Sequence, residues 1–510
     1  MLQSRGGRPR RLDLPLAGLA AATVLGLAVA LLSPQNAALL LVALVGGFIV
    51  LLRPAWALLA LPFAVPFGEL RSPSLGGLTV GGVEVILAAV VVSLVARGLA
   101  RQRLVIPRAP LLIPLLIFLG ALMVSAPGAF SLPAAAKELA KWVEFALTYL
   151  AVLMVTDEAT PRGRMAFVAA MSAALLVAGM LEALAGIAQS VQRLGPPSYA
   201  ILGGALFRAA GEFGQPNPFG GFMNMALLPA LSGLVGIALG AGLTRRAWWP
   251  NAENGYRPSP GIALLLVLAA GIIGLGLVLS WSRGAWLGAV AGVAVILVAW
   301  IVLILARPAV DRAAESRRRA VAALWALVVV GLLLVFAGAA NIIPSSVVDR
   351  LATVAEYSGG LDVLNVEVND DNFAVVERAA HWYAAANMWA DHFWAGVGIG
   401  NYAAAYPQYN VPRWTDPLGH AHNYYLNIGA ETGFIGLLAY LALLAALVWR
   451  AVRVAARRPD WLTRSLALGV LGVLTAVGVH NIFDNLYVHG MGVYIAILVS
   501  LVDTAYARAG

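Results

Sequence analysis

Three short stretches combine a cationic or imidazole side chain with neighbours that donate or accept hydrogen bonds. The first, Ser280-Trp-Ser-Arg283-Gly-Ala-Trp286, sets a guanidinium in a tight turn between two apolar runs. Ser280 and Ser282 supply hydroxyls and Gly284 allows close backbone approach, which together are the parts of a phosphate site at a helix start. The same residues also make a hairpin whose arginine binds carbonyls. The second stretch, Glu377-Arg378-Ala-Ala-His381-Trp382, continues to Met388-Trp389 and then to Gly396-Val-Gly398-Ile-Gly400. Arg378, Trp382 and Trp389 fall at helical spacing, so an amphipathic helix lying on a membrane and holding a cation at its start is expected. The glycines follow no strand-turn-helix pattern, which makes a dinucleotide reading weak. The third, Gly419-His420-Ala-His422-Asn423 with Glu431-Thr-Gly433 downstream, holds two of only six histidines.

Imidazole titrates near neutrality and takes a proton from a hydroxyl at ambient pH, so a general base is one reading of the histidine pair. A metal site using His420, His422 and Glu431 is another, and a solvated loop histidine is a third. An i, i+2 spacing turns the two rings apart on a strand or a helix, and no carboxylate cluster completes a shell, so no metal is expected. Two more segments belong with these. Arg208-Ala-Ala-Gly-Glu-Phe-Gly-Gln215-Pro-Asn217 places amides at a helix start, and Asp484 ends an apolar run where it can orient a histidine or an arginine. Glu84, Glu144 and Glu182 lie within or near apolar runs and read mainly as satisfied structural polars, with Lys137 and Lys141 as alternative partners.

The elements that must hold these residues are membrane helices. Of 510 residues, 61% are hydrophobic and 12% charged, about half the charge of a soluble chain. Apolar runs long enough to cross a bilayer recur at roughly 14–32, 37–52, 55–67, 80–97, 109–126, 139–155, 165–188, 219–242, 260–280, 286–306, 320–341, 428–449, 464–483 and 487–502. Pro62 and Pro66 mark the third as broken or partly inserted. The expectation is an all-α polytopic membrane protein of twelve to fourteen helices, the first uncleaved. Sorting the 34 basic residues by loop puts 25 on one side and nine on the other, so the richer side, with both termini, is cytoplasmic. Topology thus accounts for the net charge of +9, and nucleic acid drops out. With no cysteine, disulfides and thiolate chemistry are excluded. Three regions are expected: membrane helices over 1–341, a partly helical extracytoplasmic loop over 342–427, and C-terminal membrane helices over 428–510. Within the loop, helices are expected near 345–357 and 376–392, separated by the acidic run at 367–372.

His422-Asn423-Tyr-Tyr-Leu426 with Glu431-Thr-Gly433, Ser282-Arg283-Gly284-Ala285, and Arg378…Trp382…Met388 followed by the glycine run resemble the bacterial O-antigen ligase superfamily over about 205–490. That superfamily also includes O-antigen polymerases and protein O-oligosaccharyltransferases. The resemblance implies an inverting, metal-independent glycosyltransferase of the inner membrane with its site facing the periplasm and no cofactor. Its donor would be polysaccharide on undecaprenyl pyrophosphate and its acceptor lipid A–core. Carried over motif by motif, Arg283 and Arg378 would clamp the pyrophosphate and His422 would be catalytic. Asp484, Asn217, Arg208, Asn423 and His420 would support them. A transporter or lipid flippase is the reading from another class, but such proteins favour midplane charges and inverted repeats, neither of which is visible here.

Overall fold

The computed structural model describes residues 32–68, 81–103, 105–201, 203–242, 259–306, 372–457 and 460–507, with short pieces around 23, 74–79, 315–323 and 363–369. The expected spans at 14–32 and 320–341 lie almost wholly outside the described residues, as do the helix near 345–357 and Asp370-Asp371 of the acidic run.

The described chain is almost wholly helical. Its helices are α1 (Pro34–Leu52), α2 (Pro54–Leu58), α3 (Leu61–Phe67), α4 (Gly82–Ala100), α5 (Leu112–Ser125), α6 (Leu132–Asp157), α7 (Pro161–Gln192), α8 (Pro216–Gly242), α9 (Pro260–Leu279), α10 (Arg283–Leu305), α11 (Phe373–Asp391), α12 (Tyr402–Ala405), α13 (Tyr424–Arg457), α14 (Trp461–His480) and α15 (Met491–Tyr506). Two two-residue antiparallel ladders, Ser74–Leu75 with Leu78–Thr79 and Ala200–Ile201 with Leu206–Phe207, are the strands among the described residues. Eight of these helices are long and apolar enough to cross a membrane, or nine if α1 and the α2–α3 segment form one span bent by 113°. The bend falls at Pro54, ahead of the run at 55–67, where the missing N–H interrupts the helical ladder, and Pro62 and Pro66 lie within α3. α5 and α15 are apolar but shorter.

Serine, threonine and aspartate start the helices. The side chains of Ser131, Thr160, Ser259, Ser282 and Asp460 each accept a hydrogen bond from the backbone N–H three residues on, satisfying donors that a helix start leaves open. α8 and α14 pack on one another at the centre, with α10 across α14 and α9 across α8, while α15 packs on α6 and α13 on α5 and α14. This interior holds two polar systems at opposite ends. At one end Arg450 pairs with Asp503, which also accepts from Tyr149 Oη at 2.6 Å. At the other, the segments around 129–131, 193–215, 280–282, 396–423 and 481–490 are tied together by hydrogen bonds.

α13 is interrupted at Gly433, with φ 65° and ψ −166°. A Cβ there would lie 2.3 Å from the Trp394 carbonyl carbon, so the break seats the 394–401 strap directly on the helix. Gly433→Val is expected to cost at least the ~1–3 kcal/mol of a side chain forced into this backbone region, read as a lower melting temperature of the purified protein. An unchanged melting temperature would show that the strap is not seated there.

Candidate active site

Each site residue owes its position to a local feature of the sequence. Ser282 caps α10, its Oγ accepting the Ala285 N–H at 3.4 Å, which makes Arg283 the first helical residue. The His480 ring packs over the next position, where a Cβ would lie 2.7 Å from its Cδ2, so only glycine fits at 284. Arg208 reaches across from the segment before α8. It donates from Nε to the Ser280 carbonyl at 3.0 Å and from Nη2 to Asn217 Oδ1 at 3.3 Å. Asn217 Nδ2 then donates to Asp484 Oδ2 at 2.7 Å. The other Asp484 oxygen lies 3.6 Å from His420 Nε2 and 3.7 Å from His422 Nδ1.

α11 supplies the second arginine. Its Val376, Ala380, Ala384 and Met388 are buried and the helix packs against α13, so the expected helix over 376–392 exists as a packed element of the fold. Arg378 stands one turn before Trp382, whose Nε1–H donates to the His422 carbonyl at 3.4 Å. Arg378 Nε is buried and has no hydrogen-bond partner among the described residues. Burial, joined by the charges of Arg283 and Arg378, lowers the Arg208 guanidinium to about 10. Three guanidinium groups therefore share one field.

His422 has φ +51°, and Asn423 next to it starts α13, its Oδ1 accepting the N–H groups of Tyr425 and Leu426 at 3.0 and 3.1 Å. Asn423 therefore acts as a helix cap that fixes the backbone beside the histidine. The rings of His420 and His422 do not diverge. The loop is neither strand nor helix, and with Leu418, Gly419 and His422 all at positive φ the ring centroids come within 4.4 Å. The His422 N–H donates to His420 Nδ1 at 3.0 Å, so a neutral His420 carries its proton on Nε2, toward Asp484. Burial opposes charge on Asp484, yet the His422 ring above all, with His420 and His480, holds its carboxyl well below the usual carboxylate range.

The acid that joins the two histidines is Asp484 and not Glu431. Glu431 Oε1 accepts the Tyr402 N–H at 3.1 Å and anchors the strap that follows the glycine run. His420, His422 and Asp484 each bring one ligand atom within 4.8 Å of the others, and among the described residues this is the set with metal-ligand spacing. The same three groups make the contacts of an imidazole steadied by a carboxylate. Glu84 and Glu182 each accept a backbone N–H at 2.8 Å, from Gly81 and from Glu212, while the second Glu182 oxygen is buried with no partner among the described residues.

Two further histidines belong to this cluster and were not singled out by sequence. His480 adjoins Asp484 across the Gly284 contact. His381 hydrogen-bonds the Tyr402 hydroxyl at 2.9 Å, stacks on Tyr406 and meets the edge of His422 at 5.7 Å. The signal for His381 was its place one turn after Arg378; for His480 it was its place four residues before Asp484. Burial in both cases, with His422 adding repulsion, lowers His381 and His420 to about 4.

A histidine in the unfolded chain takes its proton near pH 6.5, whereas folded His381 and His420 refuse theirs until about 4. The unfolded state binds more protons in that window, so stability should fall as pH drops from about 6.5 toward 4. Melting temperature against pH should show this, with a shallower fall in His381→Phe. Profiles of equal slope for the two proteins would mean that the His381 ring is not held neutral.

The family model described as O-antigen ligase matches residues 264–441, a stretch that contains Arg283, Arg378 and His422 and ends before Asp484. A comparison with curated proteins gives no match.

Proposed function

With an O-antigen ligase domain over residues 264–441, we propose that this multi-pass membrane protein is an inverting glycosyltransferase that moves polysaccharide from undecaprenyl pyrophosphate to a sugar hydroxyl of lipid A–core. The observation that carries this reading is an imidazole, His422, with a carboxylate 3.7 Å from its Nδ1 and three arginines that share one field, one of which keeps a buried N–H without a partner among the described residues. A diphosphate leaving group needs its growing negative charge met by fixed donors, and guanidinium groups meet oxyanions with charge-assisted, often paired, hydrogen bonds. Arg283 and Arg378 take this role, and Arg208 adds its field while holding the 280–282 turn.

Asp484 favours the tautomer with the proton on His422 Nδ1, leaving Nε2 free to accept. The acceptor hydroxyl oxygen attacks the anomeric carbon from the side opposite the pyrophosphate and its proton passes to Nε2. As the new carbon–oxygen bond forms, the bond to the pyrophosphate oxygen breaks and its electron pair leaves with undecaprenyl pyrophosphate. His422 then returns its proton to water. Configuration at the anomeric carbon inverts, no metal or cofactor takes part, and the site faces the periplasm, where both lipid-linked substrates diffuse in one leaflet.

The test is transfer by the purified protein in detergent, with lipid-linked polysaccharide, lipid A–core and a chelator present. Polysaccharide joined to lipid A–core is the expected product. Products joined to a second lipid-linked repeat would make the protein a polymerase, and glycosylated protein would make it an oligosaccharyltransferase. No transfer to any acceptor, with movement of the lipid across vesicles, would make it a transporter.

A further inference from the structure

A cavity of about 490 Å³ lies between α4, α6 and the start of α15. Its wall from α6 is Lys137, Lys141 and Glu144, at i, i+4 and i+7, so one helical face supplies two ammonium groups and a carboxylate. Glu84 enters from the first turn of α4, and Tyr487 and His489 from the segment that also carries Asp484. The cavity and the imidazole cluster are therefore neighbours. Tyr487 lines the cavity and packs its ring 4.7 Å from Tyr424, two residues after His422, and 4.8 Å from Trp142. The charge of Lys141 reaches His420.

The charges define the occupant. Lys141 already pairs with Glu138 at 2.5 Å, and two ammonium groups face two more carboxylates, so a bare anion would meet as much repulsion as attraction. A sugar hydroxyl both donates and accepts. Lysines that donate, carboxylates that accept and an aromatic wall for the apolar ring face match a polyhydroxylated ring. None of these residues is needed for the chemistry at His422.

We propose that this cavity is a saccharide subsite that holds the core sugars of the acceptor, with Lys137 and Lys141 donating to hydroxyls and Glu84 and Glu144 accepting from them. The assignment rests on the transferase reading above. It explains how an acceptor can be oriented while the arginine-rich side holds the donor.

Three variants test it. Lys137→Met and Glu144→Gln each remove one polar contact. Gly492→Leu fills space, because residue 492 lines the cavity and a Cβ there would meet, among the described residues, only Phe145 Cδ2, at 3.9 Å. Each should raise the KM for lipid A–core roughly 10- to 100-fold, the polar substitutions by losing a hydrogen bond to a charged group and Gly492→Leu by occupying the space of the ring, and leave the KM for the lipid-linked donor unchanged. Unchanged acceptor KM in all three overturns the subsite while leaving the transferase reading intact, and a raised donor KM instead assigns the cavity to the donor and also overturns it. If the unaltered protein transfers nothing, the transferase reading fails by itself. Calorimetric titration with lipid-free core oligosaccharide then decides the cavity separately: binding that Gly492→Leu abolishes supports it, and no binding to the unaltered protein overturns it.

Discussion

Replacing His422 with alanine should lower transfer by roughly 10²–10⁴-fold, the contribution of a positioned general base, while the protein still folds and inserts. The expectation of an intact fold has a structural reason. His422 Nδ1 makes no hydrogen bond shorter than its 3.7 Å approach to Asp484, whereas the backbone N–H and carbonyl of the same residue hold the loop through His420 and Trp382. Side-chain truncation leaves those backbone bonds in place. Its φ of +51° is a harder test for alanine than for asparagine, which tolerates left-handed backbone, so His422→Asn separates a local backbone penalty from loss of the base. Both variants should show this loss, with melting temperatures near that of the unaltered protein. Undiminished activity in either would remove His422 from the mechanism.

Arg378→Ala should lower kcat/KM for the donor by about 10²–10³-fold, in the range found when a donor to a developing oxyanion is removed. Arg378→Lys is expected to recover little of this. Lysine keeps the charge but loses the planar array of donors, including the buried Nε–H that has no partner among the described residues. Arg283→Ala should act in the same direction. It differs in starting α10 in a turn that Arg208 braces through the Ser280 carbonyl, so Arg208→Lys should affect Arg283 as a positioning change. The measurement is steady-state kinetics with varied donor at fixed acceptor. Equal activity for the lysine and arginine forms would mean that the site reads charge alone and not the paired geometry of a phosphate.

Much of the architecture is legible in residue order because a bilayer demands long apolar runs, and these have few other uses. The runs near 139–155, 165–188, 219–242, 260–280 and 286–306 correspond to α6 through α10, whereas the 113° break falls at Pro54, ahead of the Pro62 and Pro66 that marked the third run. Arg283, Arg378 and His422 stand out because a cation or imidazole flanked by small and hydroxylic residues is rare in such a chain. What could not be read is convergence. Asp484 meets Asn217 across 267 positions of sequence, and His420 meets His422 because of backbone angles at 418–422 that a spacing rule for strands and helices does not contain. Glu431 shows the opposite case. Its position in a recognisable motif suggested chemistry at the histidines, but its burial against the strap makes it an anchor. Four of the six histidines, 381, 420, 422 and 480, surround one carboxylate or its neighbours, and only packing reveals that.

The most direct measurement of the account is the anomeric configuration of the bond formed, determined by NMR on product made by the purified protein from donor of known configuration. Direct attack by a hydroxyl deprotonated at His422, with the pyrophosphate leaving on the far side under Arg283 and Arg378, requires inversion. Retention would demand a covalent sugar–protein intermediate, for which this mechanism has no nucleophile, and would contradict it.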